Sequence, residues 1–249
     1  RAAYRIRAWV EQTLLRLGLT RQPTKGHWTP TQVIDHLGMR IDTRRGLFLV
    51  QPDRVTKIKN RAHDIICRAT RDRRLVPARV LASFAGLVQS VHLAVPPARF
   101  FTRDIYSVLS TKESWSAKVR VTRQTLRDLQ WWTQFDVRWN GRAVWIEAST
   151  RSAMTDASSK GWGGEVTLED RVVPAYGIWT GSDRDLHITF KELVAVRLTI
   201  ERFLTQLSKH RVLLWVDNQA VVQILKNQVS KVPLMMAEMR KLWWMLDTH

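Results

Sequence analysis

The stretch that most restricts the fold is Val212-Leu213-Leu214-Trp215-Val216-Asp217, five apolar residues closed by one acid. An apolar run of that length after a polar, basic segment predicts a buried strand in a sheet covered on both faces. The chain then passes through Asn218 and Gln219 into Val221, Val222, Ile224 and Leu225, whose spacing is helical. Asp217 is therefore expected at a strand-to-helix junction, where α/β sheets bind ligands.

Two further acids stand in comparable settings. Glu192 lies near the start of a long predicted helix with Leu193, Val196, Ile200, Phe203, Leu204 and Leu207 as its apolar stripe. It shares a face with Val196, so its carboxylate is expected to point at the sheet. Asp156 closes another apolar run and is followed by the glycine-rich reversal Lys160-Gly161-Trp162-Gly163-Gly164. Carboxylates gathered at one spot repel and raise one another's pKa unless a cation intervenes, and hard oxygen ligands suit Mg²⁺ or Mn²⁺. Two such ions about 4 Å apart activate a water and stabilise the leaving oxygen in phosphodiester hydrolysis. Taken singly, each acid also has an ordinary alternative: Asp217 as a helix N-cap, Glu192 as a first-turn dipole partner, Asp156 as a turn former.

The order of segments narrows the choice. Thr155-Asp156-Ala157-Ser158 with Gly161-Trp162-Gly163, a hairpin through Leu168, a turn at Glu169-Asp170, a strand over 171–179, then His187-Ile188-Thr189-Phe190-Lys191-Glu192-Leu193 and Leu214-Trp215-Val216-Asp217-Asn218 follow one another. This succession resembles ribonuclease H, and most closely the ribonuclease H domain of retroelement reverse transcriptases of the DIRS type. The resemblance implies an α/β (α+β) chain: a mostly helical thumb and connection region, then a ribonuclease H-like mixed sheet with flanking helices. It makes Asp156, Glu192 and Asp217 catalytic and metal-binding, with two Mg²⁺ or Mn²⁺ ions per site, and Ser158 and Asn218 contacts to the nucleic acid. The family's fourth carboxylate, an Asp opening a further helix, has no counterpart before His249. Asp247 instead follows a predicted helix over 233–246, so the fourth acid is expected beyond the chain's end.

The preceding residues extend the resemblance. Asp35 to Asp42 followed by Gly46 to Val50 reads as two short strands joined by a polar turn. In reverse transcriptases such a Leu-Gly hairpin helps to hold the primer, which assigns Leu37, Gly38 and Met39 to nucleic-acid contact. Val55, Ile58, Ala62, Ile65, Ile66 and Ala69 form one helical stripe, opposite Arg54, Lys57, Lys59, Arg61 and Arg68. A second helix opens near Pro77, and the pair resembles the duplex-gripping thumb, with Arg54, Lys57, Arg61 and Arg68 as its contacts. A helix over 119–137 carries Trp131-Trp132 as the connection. The amphipathic segment 1–18, apolar at Ile6, Trp9, Val10, Leu14 and Leu17, would end the palm. No Asp-Asp pair occurs in the chain, so the polymerase aspartates are expected upstream of Arg1.

Charge supports a polyanionic partner. Residues 1–149 hold 27 basic and 11 acidic side chains, a net of +16, whereas 150–249 hold 13 and 11, a net of +2. A field of this sign favours phosphate contacts that weaken steeply with salt. The chain's 12 Trp are read mainly as core, with Trp28, Trp131, Trp132 and Trp139 as candidates for stacking on bases. No apolar run approaches the roughly 20 residues needed to span a bilayer, and the alternation of charged and apolar residues from Arg1 to Arg21 predicts an amphipathic helix in place of a signal peptide. The single Cys67 excludes an internal disulfide and fits a reducing, cytoplasmic or nuclear setting.

The expected organisation is 1–51 as the end of a palm, 52–140 as thumb and connection, and 141–249 as the nuclease-like part. The expected partners are an RNA·DNA hybrid, a template-primer duplex and the rest of a reverse transcriptase polyprotein, without a membrane. A non-catalytic nucleic-acid clamp is the alternative, and another nuclease or strand-transfer enzyme of the same fold is a third reading.

Overall fold

A computed structural model describes residues 1–22, 24–145, 148–169 and 171–248. Helix α1 (Ala2–Arg16) forms as its spacing predicts, but none of its residues is buried, and Ile6, Trp9 and Leu17 remain more than 60% exposed. A meander follows: β1 (Val33–His36), β2 (Met39–Asp42) and β3 (Leu47–Val50). The segment read as one strand from Asp35 to Asp42 is thus itself a hairpin. Leu37 and Gly38 both have positive φ, +50° and +81°, the backbone of a two-residue turn matched to strand twist. The polar turn does exist, one step later, where Asp42 Oδ1 accepts from the amides of Arg44 and Arg45.

Helix α2 (Pro52–Arg71) buries Ile58, Ala62, Ile65 and Ala69 along the predicted stripe. Strand β4 (Leu75–Pro77) leads into α3 (Ala78–Gln89), two 3-10 turns at Pro96–Ala98 and Phe100–Thr102, and α4 (Arg103–Leu109). The helix expected over 119–137 is shorter than predicted. Val119 lies in β5 (Lys118–Arg120), paired with β4, and α5 spans Arg123–Thr133. Thr122 starts that helix because its Oγ1 accepts from the Thr125 amide at 2.9 Å. Trp131 and Trp132 face inward: Trp131 stacks on Phe101 at 4.0 Å, and Trp132 Nε1 donates to the Phe101 carbonyl. Their place is the core, with Phe84, Phe100 and Phe135.

Residues past Asn140 return to the first sheet. The Asn140 side chain exchanges two hydrogen bonds with the Val50 backbone, and β6 (Arg142–Ala143) pairs with β3. The second sheet then forms from β7 (Arg151–Ala157), β8 (Gly161–Leu168), β9 (Arg171–Ile178) and β10 (Val212–Val216), in the order β10-β7-β8-β9. Only the β10–β7 pair is parallel. Asp170, half of the expected second turn, lies outside the described residues. A 3-10 turn at Gly181–Asp185 precedes α6 (Ile188–Arg202), α7 (Leu204–Leu207), α8 (Gln219–Asn227) and α9 (Pro233–Asp247).

Two expectations change here. The predicted long helix breaks at Phe203 (φ −112°, ψ 20°), so its stripe is divided between α6 and α7. Strand β10 is not covered on both faces. It is an edge strand whose Leu213 and Trp215 are 45% and 56% exposed, whereas Val212, Leu214 and Val216 are half-buried. Helices cover one face of the sheet, and the run's uniform apolarity conceals that one-sided alternation.

The covered face is close-packed. A Cβ on Gly164 would sit 2.0 Å from Thr199 Oγ1, so glycine lets α6 settle on β8. Helix α9 ties α6 to the helices of the first half: Arg197 of α6 pairs with the buried Glu238, and Arg240 pairs with Asp104 and Asp128 of α4 and α5.

Candidate metal centre

Three elements of the second sheet deliver the acids. Asp156 is the next-to-last residue of β7, Glu192 sits in the first turns of α6, and Asp217 follows the last residue of β10. Because β7 and β10 are parallel and registered Thr155 to Val216, their C-terminal ends place Asp156 and Asp217 side by side. Helix α6 crosses β7 and β8 and brings Glu192 onto the same spot. One carboxylate oxygen from each of the three lies within 4.8 Å of the others.

The ordinary readings of these acids fit poorly. Asn218, not Asp217, caps α8, its Oδ1 accepting from the amides of Ala220 and Val221. Glu192 is 4% exposed, unlike a solvated first-turn residue. No Lys or Arg lies within ion-pair distance of any of the three among the described residues.

Burial, and next the neighbouring Asp217, push the Glu192 carboxyl up to about 7; a backbone hydrogen bond from Ala157 opposes them, and Asp156 adds to the rise. The Ala157 amide also donates to Asp156 Oδ1 at 2.8 Å. Glu192 Oε2 is buried and has no hydrogen-bond partner among the described residues. An orphaned carboxylate oxygen within a knot of like charges and no cation fits a divalent ion, and the all-oxygen donor set suits Mg²⁺ or Mn²⁺.

The other predicted contact residues have mixed fates. Ser158 Oγ donates to the Gly161 carbonyl and accepts from the amides of Lys160 and Gly161, so it builds the turn after Asp156. Asn218 is occupied as the N-cap. Arg54 is folded over the Leu37-Gly38 turn, where a Cβ on Gly38 would clash with its guanidinium, and Nη2 donates to Ser90 Oγ. Lys57, Arg61 and Arg68 are exposed on α2, Leu37 is exposed, and Met39 is half-buried. These residues belong to α2 and the first sheet, elements separate from the sheet that carries the acids.

Asp247, the terminal acid, accepts from Trp139 Nε1 at 2.7 Å and lies 3.6 Å from Arg138. It locks the end of α9 to the segment after α5. Sequence reading passed over Lys191, a buried lysine beside Glu192; its position in the apolar half of α6 was the available signal.

The fold and site define an α/β protein with a carboxylate cluster at the C-terminal ends of two parallel strands. No protein-family model matches the chain, and no curated protein does. Among solved structures it is similar to the foamy viral protease-reverse transcriptase in complex with RNA/DNA hybrid, at 15% identity over 85% of this chain and 28% of that one, with a TM-score of 0.36. It is also similar to that protein's dRH form in complex with double-stranded DNA (14% identity, 85% and 36% coverage, TM-score 0.36) and to the protein in complex with double-stranded DNA (16%, 76% and 45%, 0.36). The chain spans less than half the length of each. No helix among the described residues is long and apolar enough to cross a membrane.

Proposed function

We propose that this chain is the thumb, connection and ribonuclease H-like part of a retroelement reverse transcriptase, holding an RNA·DNA hybrid and hydrolysing its RNA strand. The observation that carries the proposal is the convergence of Asp156, Glu192 and Asp217 to within 4.8 Å with no basic partner. The narrower likeness to DIRS-type elements rests on the sequence motifs alone.

Asp156, Glu192 and Asp217 would hold Mg²⁺ or Mn²⁺ ions, which activate water and stabilise a leaving oxygen as Lewis acids. Glu192 is the anchor, because its burial and its position on α6 fix its carboxylate. Exposed Asp156 and Asp217 open the site to the substrate side. The Ala157 amide orients Asp156. The exposed Lys57, Arg61 and Arg68 supply the sequence-independent phosphate affinity. The test is cleavage of a labelled RNA·DNA hybrid by the wild type and Asp156→Asn in Mg²⁺. The proposal expects hybrid cleavage that the variant loses; equal rates would remove Asp156 from the mechanism.

A second reading, a nucleic-acid clamp without chemistry, is favoured by one observation: the described residues supply three clustered acids, and Asp247 is engaged by Trp139 and Arg138. For a clamp, hybrid binding weakens with salt and requires no divalent ion.

A further inference from the structure

We propose that Lys191 is a positioning residue that holds Asp156 against Glu192, so that the spacing of the acidic cluster depends on it. The proposal rests on the metal-centre reading above.

Lys191 is 4% exposed, although a lysine at the fourth position of a helix ordinarily reaches water. Its ammonium makes no ion pair with a carboxylate among the described residues. Instead Nζ donates to the carbonyl of Arg184 at 2.6 Å and to that of Ser159 at 3.3 Å, and it lies 5.9 Å from the Trp179 ring centre. Burying an ammonium is costly unless its protons are bonded, so a side chain that stays inside for two carbonyls is being used to hold those carbonyls.

Their place explains the use. Ser159 lies in the turn that leaves β7 three residues after Asp156. Three successive carbonyls of that turn are held from outside it: Ser158 by Trp179 Nε1 at 2.8 Å, Ser159 by Lys191 Nζ of α6, and Lys160 by the Trp179 amide just past β9 at 3.0 Å. Lys191 also grips the 3-10 turn through Arg184, and Arg184 Nε returns to the Trp179 carbonyl. Glu192 is the next residue of the same helix turn. One side chain of α6 thus clamps the loop after Asp156 while its neighbour receives a hydrogen bond from Ala157, the residue between that loop and Asp156. With the clamp released, three like charges are free to spread the strand end away from the helix.

The test uses the full chain and Mn²⁺ alone as probe, with free ion read by electron paramagnetic resonance and amide hydrogen exchange recorded without metal. Lys191→Met keeps the stem and removes the donors. It is expected to weaken Mn²⁺ binding by about tenfold or more, the usual cost of losing an outer-shell partner, and to speed exchange of the amides over 158–161, with little change in the unfolding midpoint. Lys191→Arg should recover much of the affinity. Wild-type affinity in Lys191→Met, alongside lost binding in Asp217→Asn, overturns this role while leaving the metal centre intact. No saturable Mn²⁺ binding by the wild type removes the centre and this role together. Should Lys191→Met fail to fold, Trp179→Phe decides. It removes the indole donor to Ser158 while keeping an aromatic ring and the backbone amide that holds Lys160, so a several-fold loss of affinity supports the clamp and an unchanged affinity overturns it.

Discussion

Two clusters of acid, each with a buried member, are built in opposite ways. At the junction of α4, α5 and α9, Asp128 is fully buried and Asp104 is partly so, and both are bound by Arg240, whose nitrogens stand 2.5–3.1 Å from their oxygens. At the ends of β7 and β10, Asp156, Glu192 and Asp217 crowd as closely with no arginine or lysine among them. Each knot contains one carboxyl raised by burial, Asp128 to about 6 and Glu192 to about 7. The difference lies in who supplies the positive charge. The first knot carries its own cation and serves packing; the second has none among the described residues and, on the function proposed above, receives one.

Removing the internal cation should have the largest effect. Arg240→Met leaves Asp128 buried with Gln124 as its remaining side-chain partner, and breaking a buried pair from one side costs about 3–5 kcal/mol. Chemical denaturation at pH 7.5 should show that loss. It should shrink at pH 5, because the Asp128 carboxyl, raised to about 6 by burial even with Arg240 lowering it, goes higher still once Arg240 is gone and is protonated there, leaving no naked charge.

In the second knot, the same logic predicts loss of binding without loss of fold. Asp217→Asn should weaken Mn²⁺ affinity more than about 100-fold, exceeding the usual range for outer-shell partners, and calorimetric titration would show it. The unfolding midpoint of the metal-free variant should not fall, since one of three repelling charges is gone.

Proton competition gives the next effect. Glu192 must be ionised to bind a metal. Mn²⁺ affinity should therefore be flat above about pH 7 and fall by up to tenfold per pH unit below it, measured by titration from pH 5.5 to 8.5.

Without metal, a raised carboxyl favours the protonated folded state. Stability linked to Glu192 is therefore greatest below the ordinary glutamate range and declines as pH rises to about 7. Glu192→Gln should remove that decline, making the variant more stable than the wild type at pH 7.5 by less than the Arg240→Met loss, and nearly equal to it at pH 4.5.

The smallest effect is at the basic surface. Each of Lys57→Ala, Arg61→Ala and Arg68→Ala should weaken hybrid binding modestly and lower the slope of log affinity against log salt by about 1. Arg54→Ala should differ, because Arg54 is already engaged with the Gly38 turn and Ser90.

Much of this was legible in the residues. The acids closing two strands and the inward stripe of α6 were visible because apolar periodicity marks burial directly; the parallel pairing of those strands was not. The α2 stripe was legible for the same reason. What escaped was whatever depends on a partner distant in sequence. The open face of β10 is decided by which side the helices pack on, and Val212–Val216 looks the same either way. The capping of α8 by Asn218 instead of Asp217 turns on a one-residue choice between two good cap formers. Lys191 was missed because a lysine is read as solvated until two distant carbonyls are seen around it.

Thermal unfolding with and without divalent ion tests the central claim most directly. An ion that binds only the folded acidic cluster must raise the midpoint, and above its dissociation constant the rise grows with the logarithm of ion concentration. At pH 8, Mn²⁺ should raise the wild-type midpoint in a concentration-dependent way and leave that of Asp156→Asn unmoved. An equal rise in both proteins, or none in the wild type, would contradict the account of Asp156, Glu192 and Asp217 as a site built to receive its cation.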